Sequence, residues 1–509
     1  MSRFHTVFAP RIFPLRPGLI WLMVAGCTAG APTRAAVFMA DGAKAGEITQ
    51  DSAIIWTRLT QKAERNVPGI PFPHVQVDPK GIPIPPGKTA YEADAIRVSA
   101  PISAARQLAG HALEEMAGAV PGAPGAVRIA YWPASAGEGT ARRTSRVAVT
   151  AASDFTAQIA LHDLQPGTRY RFRAEGFLPG RDEVAGTFEG GFKTAPVPGT
   201  PARISFTVAT CQDYDRRDDP ENGHMIYAAM GRLQPDFFVH TGDIEYYDKP
   251  TPLATNVALA RFKWNRIFAL PHQRAFHAQT SSYFMKDDHD TLKDDAWAGQ
   301  TYGDLTWEQG LALFREQVPI GVKTYRTVRW GKDLQIWLVE GRDFRSPNDQ
   351  PDGPGKSIWG AEQKRWFFDT VRASDATFRI LISPTPLVGP DREGKADSHA
   401  NRAFAHEGRQ LREFIATQRN MFVLSGDRHW QYASVDPLTG LREYGCGPSS
   451  DAHAGGFSEA ERTPAHRYLR IKGGFLSVLV ERVDGHPRVV VRHHAVDGKL
   501  QHEDVLPAE

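Results

Sequence analysis

The stretch Phe238-Val239-His240-Thr241-Gly242-Asp243-Ile244-Glu245-Tyr246 decides how the chain is read. The apolar run from Phe237 to Val239 predicts a buried strand. It ends in a Gly-Asp pair, with Tyr246 three residues beyond the Asp. Glycine permits the sharp turn that lifts Asp243 out of the strand end. Three other apolar runs end alike. One leads to Cys211, one to Asp287-Asp288-His289-Asp290, and one to Gly426-Asp427-Arg428-His429. In layered α/β folds, ligands gather beyond the carboxyl ends of strands. Cys211, Asp243, Asp288, His289, Asp427 and His429 share that placement.

Strands and helices alternate on both sides of this stretch. Ile204, Phe206 and Val208 alternate toward Cys211, and Met225, Ala229 and Leu233 have helical spacing. Leu334 to Val339, Phe378 to Ile382 and Met421 to Leu424 read as strands. Gly360 to Val371 reads as an amphipathic helix anchored by Trp366, Phe367 and Val371. Residues 475–505 return to strands. The alternation predicts an α/β layered domain over 199–509. Before it, 37–198 read as a β-rich domain, with strands at Ser52 to Thr57, Val127 to Tyr131 and Arg146 to Val149. Leu164-Gln165-Pro166-Gly167-Thr168-Arg169-Tyr170-Arg171-Phe172 resembles the corner of a fibronectin type III sandwich, where a Tyr pins the turn. An insertion at about 61–125 opens with a Pro/Gly-rich loop. It continues with a helical pattern, Leu108, Ala112, Leu113 and Met116 on one face. Pro196 to Pro201 read as the linker.

A chain of 509 residues, 41% hydrophobic and 23% charged, suits a globular protein of several domains. Its net charge of +2 excludes the strongly basic face of a dedicated nucleic-acid binder. Cys27, Cys211 and Cys446 give no disulfide framework; an export compartment would permit only a Cys211–Cys446 pair. Arg3, Arg11 and Arg16 before the apolar Gly18 to Ala25 predict an export signal within 1–36. Val24-Ala25-Gly26-Cys27 resembles a lipobox, with cleavage near Ala35-Ala36 as the alternative. The expectation is a periplasmic or extracellular monomer, free or tethered by lipid at Cys27.

A thiolate, a phenolate and an imidazole suit ferric iron, whereas carboxylates suit hard cations such as calcium or magnesium. The set can hold two unlike metals bridged by one carboxylate. Metals about 4 Å apart can clamp the attacking and leaving oxygens of phosphoryl transfer.

Gly242-Asp243-Ile244-Glu245-Tyr246, Asp287-Asp288-His289-Asp290 and Gly426-Asp427-Arg428-His429 resemble the metal motifs of calcineurin-like metallophosphoesterases. They are most similar to the PhoD-like (alkaline phosphatase D) family and, more distantly, to purple acid phosphatases. Ala209-Thr210-Cys211-Gln212, Gly341-Arg342-Asp343-Phe344-Arg345, Gly360-Ala361-Glu362-Gln363 and Ser52 to Arg58 extend the resemblance. It implies a four-layer α/β/β/α metallophosphoesterase sandwich behind a fibronectin III-like domain. It also implies iron (Fe3+) on Cys211, Tyr246 and His429, with Asp243 bridging to a second metal. Asp288 and Asp427 would hold that metal, calcium (Ca2+) in this family, although another divalent cation could take its place. His289 would contact the phosphate, and a metal-bound hydroxide would attack phosphorus.

Asp288 and Asp427 stand where purple acid phosphatases have Asn and His. A further family His, near Ser383-Pro384-Thr385, is absent. Each change removes nitrogen and favours calcium. Arg392, Lys395 and His399 are expected to clamp a phosphate at the site mouth. The expected activity is alkaline phosphatase, on phosphomonoesters and with phosphodiesters as a second class. The alternatives are a phosphodiesterase acting on phospholipid or cell-wall polymer, and a non-catalytic surface binding protein.

Overall fold

The computed structural model describes residues 36–73, 103–392 and 394–509. The export signal and Cys27 lie outside the described residues, as does the middle of the 61–125 insertion. The N-terminal region supplies β1 (Ala43–Gly46), β2 (Ala53–Arg58), β3 (Gly125–Pro133), β4 (Arg142–Arg143), β5 (Val147–Val149), β6 (Thr156–Leu161), β7 (Arg169–Phe177) and β8 (Val184–Lys193). Next come β9 (Ile204–Ala209), β10 (Phe237–His240), β11 (Ser281–Phe284), a small hairpin of β12 (Thr301–Tyr302) and β13 (Leu305–Thr306), β14 (Arg326–Trp330) and β15 (Leu334–Leu338). The chain ends with β16 (Phe378–Ser383), β17 (Met421–Ser425), β18 (Gln431–Val435), β19 (Arg442–Cys446), β20 (His466–Arg470), β21 (Phe475–Val483), β22 (His486–His494) and β23 (Leu500–Pro507).

Two sheets face each other, and the strand pattern shows why. In β9, Ile204, Phe206 and Val208 point into the shared core, while Ala209 points outward. In β10, Phe237 and Val239 point in and Phe238 out. On the opposing sheet Ile380, Ile382, Phe422 and Leu424 point in, and Leu381 and Val423 out. Strands apolar on both faces must be covered on both. The helices Met225–Leu233 and Pro271–Gln279 cover the outer face of the first sheet through Ile226, Met230 and Phe276. The helices Gly360–Ala373 and Ala405–Ala416 cover the second through Phe367, Val371, Leu411 and Ile415. The result is an α/β/β/α sandwich.

The first sheet runs β23-β22-β21-β9-β10-β11-β1-β2-β6, and the second runs β14-β15-β16-β17-β19-β18-β20. The strands β9, β10 and β11 are parallel neighbours, as are β15, β16 and β17. Their carboxyl ends therefore lie together. The N-terminal region divides between two sheets. The strands β3, β4, β5, β7 and β8 form a sheet of their own, whereas β1, β2 and β6 continue the first sheet, with Gly46 of β1 paired to Ser282 of β11. The linker at 196–201 thus joins regions that share one sheet. The corner at Tyr170 is present: its hydroxyl accepts the Gln165 amide at 2.8 Å.

One detail differs from the sequence expectation. The helix expected through 108–116 is broken. Ala104–Leu108 is one short helix and Leu113–Glu115 a separate 3-10 turn, because Ala109 and Gly110 adopt φ of 50° and 86°. Cys211 and Cys446 are both free and buried. Among the described residues, no helix is long and apolar enough to cross a membrane.

Candidate active site

Three of the four strand ends deliver a ligand through the same backbone device. Cys211, Asp243 and Asp427 have φ of 50°, 54° and 62°, a conformation that L-residues rarely adopt. Such residues hold their geometry only where the surroundings over-determine it, and here they do. The Cys211 amide donates to the Gly242 carbonyl at 3.2 Å, and the Gln212 amide donates to the Asp243 carbonyl at 2.9 Å. Gly242 sits at φ 114°, and a Cβ there would stand 2.7 Å from the Asp287 Cβ and amide nitrogen. Gly426 is pressed equally hard. A Cβ there would stand 2.3 Å from the Thr241 hydroxyl and 2.7 Å from the Thr210 hydroxyl. Gly426 thus lets the ends of the two sheets meet, and Gly242 lets two strand ends of the first sheet close together.

Four groups of ligand atoms lie within 4.8 Å of one another: Cys211, Asp243 and His429; Asp243, Asp288 and His289; Asp243, Asp287 and Asp427; and Asp288, Asp294 and Asp295. Asp243 belongs to three of them. Its Oδ2 accepts the Cys211 thiol at 3.3 Å and the Tyr246 hydroxyl at 3.2 Å. Its Oδ1 is buried without a partner. All the expected metal ligands are therefore brought together, with Asp287 added.

Electrostatics shows what the cluster lacks. Burial, with the nearby Asp243 and Asp427 carboxylates, pushes the Cys211 thiol far up. Burial, then Asp243 and Cys211, does the same to Tyr246. Asp243 is pushed well up by burial, and Asp427 to about 6 by burial with Asp397 and Asp288 close by. Burial keeps His429 neutral. An acid cluster forced to hold protons calls for a cation, which reverses that preference. The buried, unpartnered Asp243 Oδ1 and Asp287 Oδ2 are open acceptors for one. The donors also divide by chemistry: sulfur, nitrogen and phenol beside Cys211, and oxygen alone around Asp287 and Asp427. The residues fit two unlike metals.

Three residues packed at the site escape the sequence reading. Asp248, two residues past Tyr246, binds His289 Nδ1 at 2.7 Å and leaves Nε2 for the site. Against the cost of burial, Asp248, Asp288 and Asp243 raise the His289 pKa well above its ordinary value. Arg342 is buried. Its Nε and Nη2 reach Asp287 Oδ1 at 2.6 and 2.5 Å, and Nη2 lies 3.6 Å from Asp288 Oδ1. Asp288 is buried, but Arg342, His289 and Lys395 hold it below the ordinary carboxylate range. His453 packs its ring on His429 at 4.1 Å and on Tyr246 at 5.2 Å. Arg342 lies within Gly341-Arg342-Asp343-Phe344-Arg345; His453 carries no signal in sequence.

The expected phosphate clamp is dispersed. Lys395 pairs with Asp295 at 2.9 Å and Asp397 at 3.4 Å, and its charge reaches Asp288 and Asp427. Arg392 stands over the Trp430 ring at 5.6 Å, and its charge reaches His429. His399 is not at the mouth. It is 1% exposed, bonded to Glu407 at 3.0 Å and set edge-on to Trp359, because the Ala405–Ala416 helix draws it inward.

Residues 206–445 match the PhoD-like phosphatase family, and residues 26–196 match the N-terminal domain of PhoD-like phosphatases. The chain is 23% identical over 297 residues to alkaline phosphatase D of Bacillus subtilis (strain 168), covering 48% of each, so the match spans about half the length of that relative. A solved structure of PhoD superposes with a TM-score of 0.66 at 17% identity, covering 94% of this chain and 90% of the other. A purple acid phosphatase from yellow lupin (Lupinus luteus) superposes with a TM-score of 0.59 at 10% identity, covering 91% and 74%. Matched in sequence over both regions and in fold over nearly its whole length, the chain belongs to the PhoD-like phosphatases.

Proposed function

We propose that the protein is an exported, metal-dependent alkaline phosphatase that hydrolyses phosphomonoesters and, as a second class, phosphodiesters. One observation carries this reading. Asp243 turns one oxygen to the Cys211 thiol and the Tyr246 hydroxyl, and keeps the other buried and unpartnered. A carboxylate so placed serves a sulfur/nitrogen/phenol site and an oxygen site at once.

Iron would be held by Cys211, Tyr246, His429 and Asp243, and calcium by Asp243, Asp288 and Asp427. When bound, such a pair supplies Lewis acidity and a water acidic enough to lose its proton near neutral pH. The chain's own residues do the rest. His289, aligned by Asp248, directs Nε2 at the substrate and donates a proton to a phosphate oxygen or the leaving group. Lys395 adds positive charge beside Asp427 and Arg392 beside His429, where an anionic substrate would enter. Arg342 fixes Asp287 and Asp288 against their mutual repulsion.

Aryl phosphates and bis-aryl phosphates, assayed beside elemental analysis and before and after chelation, test the proposal. Turnover lost on chelation, with iron and calcium in the protein, supports it. A metal-free protein inert to both substrates refutes it. The export reading rests on the basic and apolar residues before Cys27. Intact-mass analysis of the secreted form distinguishes a diacylglycerol-modified Cys27 from cleavage near Ala36.

A further inference from the structure

The segment from Pro448 to Gly455 touches the ends of both sheets, and no part of the proposed mechanism uses it. Pro448 bridges to Thr210. The Ser449 hydroxyl donates to the Thr210 carbonyl at 2.8 Å, and the Ser449 amide donates to the Cys211 carbonyl at 3.1 Å. His453 Nδ1 lies 3.2 Å from that same carbonyl. A carbonyl can only accept, so Nδ1 carries the proton. The Gly455 amide then donates to the His429 carbonyl at 3.1 Å. The strap is thus sewn to β9 at one end and to the loop after β17 at the other.

Its consequence falls on Cys211. That residue is left-handed, with φ of 50°, and its carbonyl is held twice. Those two bonds fix the backbone of the residue whose thiol donates to Asp243. The His453 ring meanwhile fills the space against His429 and Tyr246, with 2% of its own surface exposed. Two side chains and one backbone carbonyl, from three strand ends, therefore rest on one imidazole.

We propose that His453 is a positioning residue that sets the mutual placement of Cys211, Tyr246 and His429, and thereby the geometry offered to a ferric ion. This rests on the metal-centre reading above. His453 itself belongs to none of the ligand groups, so it acts through the ligands and not as one of them.

The test is ferric reconstitution of the full chain. The readouts are retained iron, the visible absorption of phenolate- or thiolate-bound ferric ion, and the melting temperature of the metal-free form. His453→Ala is expected to lower ferric affinity roughly 10- to 100-fold, the range for partners that orient metal ligands, and to displace the absorption band. His453→Asn restores an N–H toward the Cys211 carbonyl and recovers part of the affinity. His453→Phe keeps the ring packing alone; it and the Asn variant carry the test if the Ala variant does not fold. Variants with wild-type affinity and an unmoved band overturn the proposal. So does a lowered melting temperature with iron binding unchanged, which marks a merely structural role. Failure of the wild-type chain to retain iron overturns the metal-centre reading and this inference together. Iron in the wild type with indistinguishable variants overturns this inference alone.

Discussion

Gly242 is the residue on which the site's backbone turns. Its φ of 114° and the 2.7 Å approach of Asp287 leave no room for a methyl group. Gly242→Ala is expected to cost about 2–4 kcal/mol by backbone strain and overpacking. Urea denaturation measures that loss, and metal analysis should show the cluster impaired with it. Asp248→Asn leaves the metal ligands intact and loosens the hold on His289 Nδ1, together with that on the Asp294 amide. Steady-state kinetics should show kcat falling by roughly 10²-fold, the scale of a positioned proton donor, with metal content preserved. Unchanged kcat would remove the Asp248–His289 pair from the mechanism. Cys211, Asp243, Asp427 and His429 were legible because a strand end is a local signal, an apolar run closed by Gly-Asp or by a lone Cys. Asp248, Arg342 and His453 were not, because their roles arise from contacts with residues distant in the chain.

At the scale of elements, the Ala405–Ala416 helix is tied to the site's outer loops by one carboxylate. Glu407 accepts the Ser357 hydroxyl at 2.5 Å, the Ile358 amide at 2.6 Å and His399 Nε2 at 3.0 Å. Burial opposes its ionisation, but His399, Ser357 and Ile358 hold it down from 4.5 to about 2. A pKa lowered by folding gives stability that is complete above the unfolded value and is lost as pH falls from about 4.5 toward 2. The difference amounts to about 3 kcal/mol. His399 adds in the same direction. Burial keeps it neutral, so it opposes folding as pH falls below its ordinary 6.5. Glu407→Gln should therefore lower stability at neutral pH and flatten the acid limb of a stability–pH curve. An unchanged limb would contradict the assignment. His399 was misplaced from sequence because a histidine in a polar loop reads as exposed, and only the packed helix shows it drawn under Trp359.

The whole molecule is less divisible than its sequence suggests. In sequence, the alternation of strands and helices points to a layered α/β domain, and the four-layer sandwich is what the family resemblance implies. Neither reveals that Ala43–Gly46, four residues long with only two alanines facing the core, pairs with β11 and carries β2 and β6 into the first sheet. A chain beginning at residue 199 would expose the β11 edge, a template for strand addition. Size-exclusion chromatography should find that fragment associated or insoluble, whereas a monomeric, active fragment would show that the sheet does not need its N-terminal strands.

The central claim is that Asp243 serves two unlike metals at once. The most direct measurement is elemental analysis of purified Asp243→Asn, Cys211→Ser and Asp427→Asn proteins beside the wild type. Cys211→Ser should lose iron and keep calcium, and Asp427→Asn should lose calcium and keep iron, each by the hardness of the donor removed. Asp243→Asn should lose both. An Asp243→Asn protein that retains either metal at the wild-type level would contradict the shared carboxylate.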